Sequence, residues 1–132
     1  MDTSGLYALM VRTEERHADV LRVFRKLLEE DRPLRTTSYV TVETVALLQH
    51  RVGLGPVRDF IEHLSPVLSI EWVSEALHRK GAERLLREDR RRLSLVDCIS
   101  LEFMRMHGLR EALALDAHFA DAGFRLLPVA RK

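Results

Sequence analysis

Apolar side chains recur along the chain in two ways, at helical spacing on one face and in short unbroken runs, and their alternation predicts helices separated by brief strands. From Glu14 to Glu30, Ala18, Leu21, Phe24, Leu27 and Leu28 recur among arginines and glutamates, an amphipathic helix closed by Asp31-Arg32-Pro33. Leu34 to Thr37 reads as a strand. Ser38 opens a second helix on which Val42, Val45, Ala46 and Gln49 share a face as far as Gly53, with Glu43 in its first turn. Gly55 to Leu64 predicts a short helix, Val67 to Trp72 a strand, and Ser74 to Glu88 a helix with Ala76, Leu77, Ala82, Leu85 and Leu86 apolar. Ser94 suits the N-cap of the next helix and would put Asp97 at its third position. Ala112 to Leu115 is a short apolar strand delivering Asp116, followed by a helical turn and a closing strand from Phe124 to Leu127.

Strands alternating with helices imply an α/β fold with a parallel sheet, in which ligands bind at the carboxyl ends of the strands. No repeat, low-complexity tract or linker divides the chain, so residues 1–132 are expected to form one domain with a substantial core, 46% of its residues being hydrophobic. The net charge of +1 argues against a protein that coats nucleic acid, although a local basic patch could still grip phosphates. Cys98 is the sole cysteine, which excludes an internal disulfide and fits a cytoplasmic compartment and a packing role. No run of apolar residues is long enough for a membrane span or a targeting segment.

Candidate chemistry enters through four acids in apolar or small surroundings: Asp2 in MDTSGLYAL, Glu43 in SYVTVETVALLQ, Asp97 in LSLVDCIS and Asp116 in ALDAHFADAGF. Carboxylates entering a core need partners, and a hard divalent cation such as Mg²⁺ or Mn²⁺ is the natural one, because acids crowded without it repel. Asp2 and Asp116 would stand at strand ends, with Glu43 and Asp97 facing them from helices. Asp97 has an equally good reading as a plain helix-start residue. His17, His50, His63, His78 and His107 lack mutual ligand spacing, which speaks against zinc. Arg87, Arg90, Arg91 and Arg92 form the densest basic run, diluted by Glu88 and Asp89; it is either a solvated surface or a phosphate contact leading to Asp97. Asp121 is a fifth acid or a solvated helix residue.

In order and context, DTSGLYAL, TSYVTVETVALLQHRVG, RRRLSLVDCISLEFMRMHG and ALALDAHFADAGFRLLP resemble the PilT N-terminus (PIN) domain family, metal-dependent nucleases that include the VapC-type toxins. The resemblance covers nearly the whole chain. It implies a three-layer α/β/α fold with a short central parallel sheet, and an endoribonuclease in which Asp2, Glu43, Asp97 and Asp116 hold Mg²⁺ or Mn²⁺ for phosphodiester hydrolysis. Ser4 matches the family's D-x-S pattern and would order the cluster or cap a helix, while His118, two residues after Asp116, would lie near substrate with Arg91 and Arg92. RNA, a small antitoxin and a second copy are the partners the resemblance implies. Family members usually have an apolar strand before the first Asp, so here that strand is expected to be clipped or supplied from upstream. Two rival readings are a catalytically silent PIN scaffold and a phosphoacceptor regulator, the latter lacking a lysine beside any acid motif.

Overall fold

A computed structural model describes residues 1–129 of the chain. Among the described residues, four three-residue strands are set among seven α-helices: α1 (Thr3–Met10), α2 (His17–Glu29), β1 (Arg35–Thr37), α3 (Ser38–Arg51), α4 (Leu54–Asp59), β2 (Ser69–Glu71), α5 (Glu75–Glu88), α6 (Leu95–Met106), β3 (Glu111–Leu113), α7 (His118–Asp121) and β4 (Arg125–Leu127). Between α4 and β2 the chain continues through a wide helical turn, Phe60–Leu64, and a tight one, Ser65–Val67. The expected α/β class and parallel strand pairing are both present. Helices dominate, and the strands form two parallel pairs, β1 with β2 and β3 with β4.

What joins the two pairs is the chain start. The Met1 amino group donates to Arg35 O (2.6 Å), Thr36 Oγ1 donates to Met1 O (2.7 Å), and Asp2 N–H donates to Leu113 O (3.0 Å). Met1 and Asp2 thus link the two strand pairs, lying between β1 and β3.

Local signals in the sequence explain most boundaries. Thr37, Ser74 and Ser94 each cap a helix by accepting a backbone N–H with the side-chain oxygen, and Asp31 adopts positive φ where α2 ends. Faces were less legible than boundaries. On α3 the buried stripe is Ser38, Val40, Thr44 and Leu48, not the expected Val42, Val45, Ala46 and Gln49; Val42 is 66% exposed. Two stripes of similar polarity compete there, and Thr44 tolerates burial because its hydroxyl donates to Val40 O (2.8 Å). Glu43, the sixth residue of α3, lies in its second turn rather than the first. On α2, Val20 and Leu27 are buried while Ala18 and Leu28 face outward, and on α5 Leu77 and Gly81 are buried while Leu86 is 81% exposed. Strand β2 is shorter than the predicted Val67–Trp72, Trp72 being 77% exposed.

Two hydrophobic clusters result. One gathers Leu6, Val20, Leu27, Val40, Leu48, Phe60 and Leu113; the other gathers Leu77, Cys98, Ile99, Phe103, Ala112, Ala114 and Phe119. Strand β3 feeds both. Close approach of backbones fixes the elements that carry the acids: a Cβ on Gly5 would lie 2.5 Å from Leu113 Cδ2 and 2.6 Å from Leu113 O, so only glycine lets α1 lie on β3. Gly81 serves α5 in the same way against Ile99 of α6.

Candidate active site

Three of the four predicted acids converge. One carboxylate oxygen each from Asp2, Asp97 and Asp116 lie within 4.8 Å of one another. They come from three elements: Asp2 is the N-cap of α1, Asp97 sits in the first turn of α6, and Asp116 follows β3 in the loop to α7. Asp2 and Asp97 are buried and Asp116 is exposed, so the cluster has two walls inside the protein and one at the mouth. Glu43 does not join them. It lies half-buried on α3, a helix packed against both α1 and α6.

Each buried acid is held by one oxygen and keeps the other. Asp2 Oδ2 accepts from Ser4 N–H (3.4 Å) and Ser4 Oγ (2.9 Å), whereas Asp2 Oδ1 is buried with no hydrogen-bond partner among the described residues. Ser4 Oγ in turn accepts from Leu115 N–H (2.9 Å), so one hydroxyl ties the first acid to the backbone that delivers the last. Of the two readings of Ser4, the structure therefore favours ordering the cluster, and the cap of α1 is Asp2 itself. Asp97 is the helix-start residue that one of its readings expected, and it also lies beside the other acids. Ser94 and Asp97 form a reciprocal capping box, Ser94 N–H donating to Asp97 Oδ2 and Asp97 N–H to Ser94 Oγ, both at 3.0 Å, and the same residue faces Asp2 and Asp116.

Burial and like charge act on Asp2 together. Desolvation, then the nearby Asp97 carboxylate, raises its pKa from 3.8 to about 6, against the opposing hydrogen bonds from Ser4. The adjacent Met1 ammonium is pushed the other way, down to about 6, because burial penalises its charge more than Asp2 supports it. An unpartnered buried carboxylate oxygen beside two other acids is what a cation site presents, since a cation would supply the missing partner. The donor set is all oxygen, which suits Mg²⁺ or Mn²⁺ rather than a thiophilic ion.

The His118 ring stands among the acids. Its Nε2 is 3.9 Å from Asp97 Oδ2 and 3.8 Å from Asp116 Oδ1, and its Nδ1 is buried with no partner among the described residues. Arg91 and Arg92 are exposed in the turn between α5 and α6, immediately ahead of the capping box. Asp121 is outside the acid cluster and lies 3.6 Å from Arg90, as a surface helix residue would. Cys98 is fully buried, and burial raises its thiol pKa, which fits a packing residue. One support escaped the sequence reading: Thr36, whose hydroxyl donates to the Met1 carbonyl. It lies in no pattern a sequence could flag, because it acts between chain-distant residues.

The PIN domain family model matches residues 1–125. The chain is 34% identical over 125 residues to the 23S rRNA-specific endonuclease VapC20 of Mycobacterium tuberculosis, in two strains, covering 94% of this chain and 93% of the relative. A crystal structure of Mycobacterium tuberculosis VapC20, described as a sarcin–ricin loop cleaving toxin, superposes with a TM-score of 0.80 at 35% identity, covering 93% of each chain.

Proposed function

Because the chain belongs to the PIN domain family, we propose that it is a Mg²⁺- or Mn²⁺-dependent endoribonuclease, the toxin of a VapBC-type toxin–antitoxin pair. One observation carries the reading: carboxylate oxygens of three acids from distant elements lie within 4.8 Å of one another, and one of these acids, Asp2, has a buried oxygen with no hydrogen-bond partner among the described residues. Asp2, Asp97 and Asp116 hold the cation, while Glu43 stays on α3 outside their cluster. A divalent cation bound there lowers the pKa of a water and offsets charge on the phosphate oxygens.

The remaining roles fall to the chain. Ser4 orients Asp2 and couples it to the Asp116 loop, and Ser94 orients Asp97, leaving one oxygen of each acid for ligation. His118 lies between the inner and outer acids, where it contacts the substrate phosphate. Arg91 and Arg92 hold the flanking backbone, fixing register without reading sequence. No protein nucleophile is required, which suits a site whose nearest thiol is buried. The relatives' printed substrate makes a sarcin–ricin-type loop of 23S rRNA the first RNA to try. A small antitoxin and a second copy of this chain are the proposed protein partners.

The test is cleavage of such a loop RNA by purified protein in Mn²⁺ and in EDTA, alongside Asp97→Asn. Cutting in Mn²⁺ alone, reduced at least about 100-fold in the variant, is expected. Wild-type protein that binds the RNA without cutting it in either condition would instead mark a silent scaffold. Growth arrest on expression, relieved by a small neighbouring protein, is the corresponding result for the toxin role.

A further inference from the structure

Trp72 is the only tryptophan of the chain, and 77% of its surface is open to solvent. It follows β2 directly, and the strand register measures how far it stands from the acids. Ser69, which donates to Leu34 O, is level with Arg35, the next residue of β1. By the same geometry Met1, which donates to Arg35 O, is level with Thr36, and Asp2 with Thr37, whose partner in β2 is Glu71. Trp72 is one residue further on. Its backbone therefore stands two strand spacings across and one residue along from that of Asp2, roughly 10 Å away. It lies at the carboxyl ends of the strands, as does exposed Asp116 after β3.

The segment that carries the indole is fixed on both sides. Pairing with β1 runs up to Glu71, Val73 N–H donates to Ser38 Oγ (3.0 Å), and Ser74 caps α5 by accepting from Leu77 N–H (3.1 Å). Beside Ser38, Tyr39 Oη is hydrogen-bonded to His78 Nδ1 (2.5 Å) with the two rings edge to face at 5.8 Å, which ties the start of α3 to the start of α5. An aromatic side chain on such a support loses little freedom when it gains a partner. Its chain neighbours Glu71, Ser74 and Glu75 are polar, and the Glu75 charge is offset by Arg79 (2.6 Å), with exposed Lys80 next to it. A protein partner needs a contiguous apolar surface, whereas a nucleotide base needs one aromatic face.

We infer that the Trp72 indole is a stacking platform for one unpaired base of the RNA substrate. Roughly 10 Å is the rise of about three stacked bases, so the base it holds is within about three nucleotides of the bond over the acids. Arg91 and Arg92 grip phosphates wherever they occur; the stack adds a requirement for a base with a free face, which a loop offers and a duplex does not. The inference rests on the nuclease reading and deepens it.

The lone tryptophan also supplies the readout. In EDTA, titrating wild-type protein with the loop RNA should quench its tryptophan fluorescence as the complex forms. By anisotropy of end-labelled RNA, Trp72→Ala should bind about 5- to 100-fold more weakly, with Trp72→Phe recovering most of the loss. An abasic nucleotide within about three positions of the cut bond should weaken wild type as much as Trp72→Ala does, and weaken Trp72→Ala little further. Protein that cuts the RNA in Mn²⁺ but shows no quenching, and whose Trp72→Ala variant binds within about twofold of wild type, overturns the stack and leaves the nuclease reading standing. Tryptophan emission that shifts on dilution without RNA, with a lower mass by light scattering for Trp72→Ala, makes the indole a contact between copies and overturns it as well. Wild-type protein that neither binds nor cuts RNA removes the nuclease reading and this inference together.

Discussion

Replacing Asp2 with Asn should stabilise the protein while disabling it. Burial and the Asp97 carboxylate raise the Asp2 pKa from 3.8 to about 6. At about 1.4 kcal/mol per tenfold change in proton affinity, keeping Asp2 ionised in the folded state costs roughly 3 kcal/mol at neutral pH. The sign follows from proton counting. Between pH 4 and pH 6 the folded chain binds more protons than the unfolded one, so stability falls as pH rises through that window and stays lower above it. Asparagine carries no charge and keeps an oxygen to accept from Ser4, preserving the cap of α1. Its amide N–H groups must find partners, which brings the expected gain to about 1–3 kcal/mol at pH 7.5 in EDTA, shrinking toward zero near pH 4. The Met1 ammonium, with its pKa lowered to about 6, adds a rise in stability between pH 6 and 8, present in both proteins and largely lost in their difference. Manganese should reverse the order: at 100 times its dissociation constant it adds about 2.7 kcal/mol to a protein that binds it and nothing to one that does not. Urea unfolding at pH 4.5 and 7.5, with EDTA or Mn²⁺, measures all of this. An Asp2→Asn protein less stable than wild type by more than about 1 kcal/mol in EDTA at pH 7.5, or one that gains as much from Mn²⁺, would refute the assignment of Asp2 as a strained, cation-directed carboxylate.

Three further outcomes test the supporting structure. Ser4→Ala removes the hydroxyl linking Asp2 to Leu115 N–H, so calorimetry should show about a 10–100-fold loss of metal affinity, accompanied by roughly 1–3 kcal/mol of lost stability; unchanged affinity would demote Ser4 to a packing residue. Arg91→Ala with Arg92→Ala should weaken RNA binding and reduce the slope of log affinity against log salt by about 0.7–0.9 per arginine, while leaving single-turnover cleavage of bound RNA intact; an unaltered salt slope would place RNA elsewhere. Gly5→Ala drives a methyl group into Leu113 and should cost at least about 1–3 kcal/mol by urea denaturation, with cleavage falling further than the unfolded fraction explains because α1 carries both Asp2 and Ser4. Equal losses in folding and cleavage would show that α1 does not position the site.

Much of the molecule was legible from residue order alone, where the controlling interactions are local. Helix starts at Ser74 and Ser94 follow from side chains that satisfy a nearby N–H, and Asp97 at the third helical position follows from the same three-residue arithmetic; α3 starts at Ser38 as expected, with Thr37 ahead of it supplying the cap. Asp2, Asp97 and Asp116 stood out because ionisable groups among apolar neighbours need a partner. Long-range choices were not legible. Which face of α3 is buried depended on what α1 and α6 offered against it, so Val42 and Ala46 went outward and Val40 and Thr44 inward. Glu43 has the same apolar surroundings as the other acids, yet the register of α3 keeps it out of the cluster. That Ser4 spans two acids, that Asp97 both caps and converges, and that Met1 and Asp2 together bridge β1 and β3 depend on contacts between residues up to 111 positions apart. Propensity and periodicity act over a turn or two of chain; convergence is set by packing, and only the folded molecule fixes it.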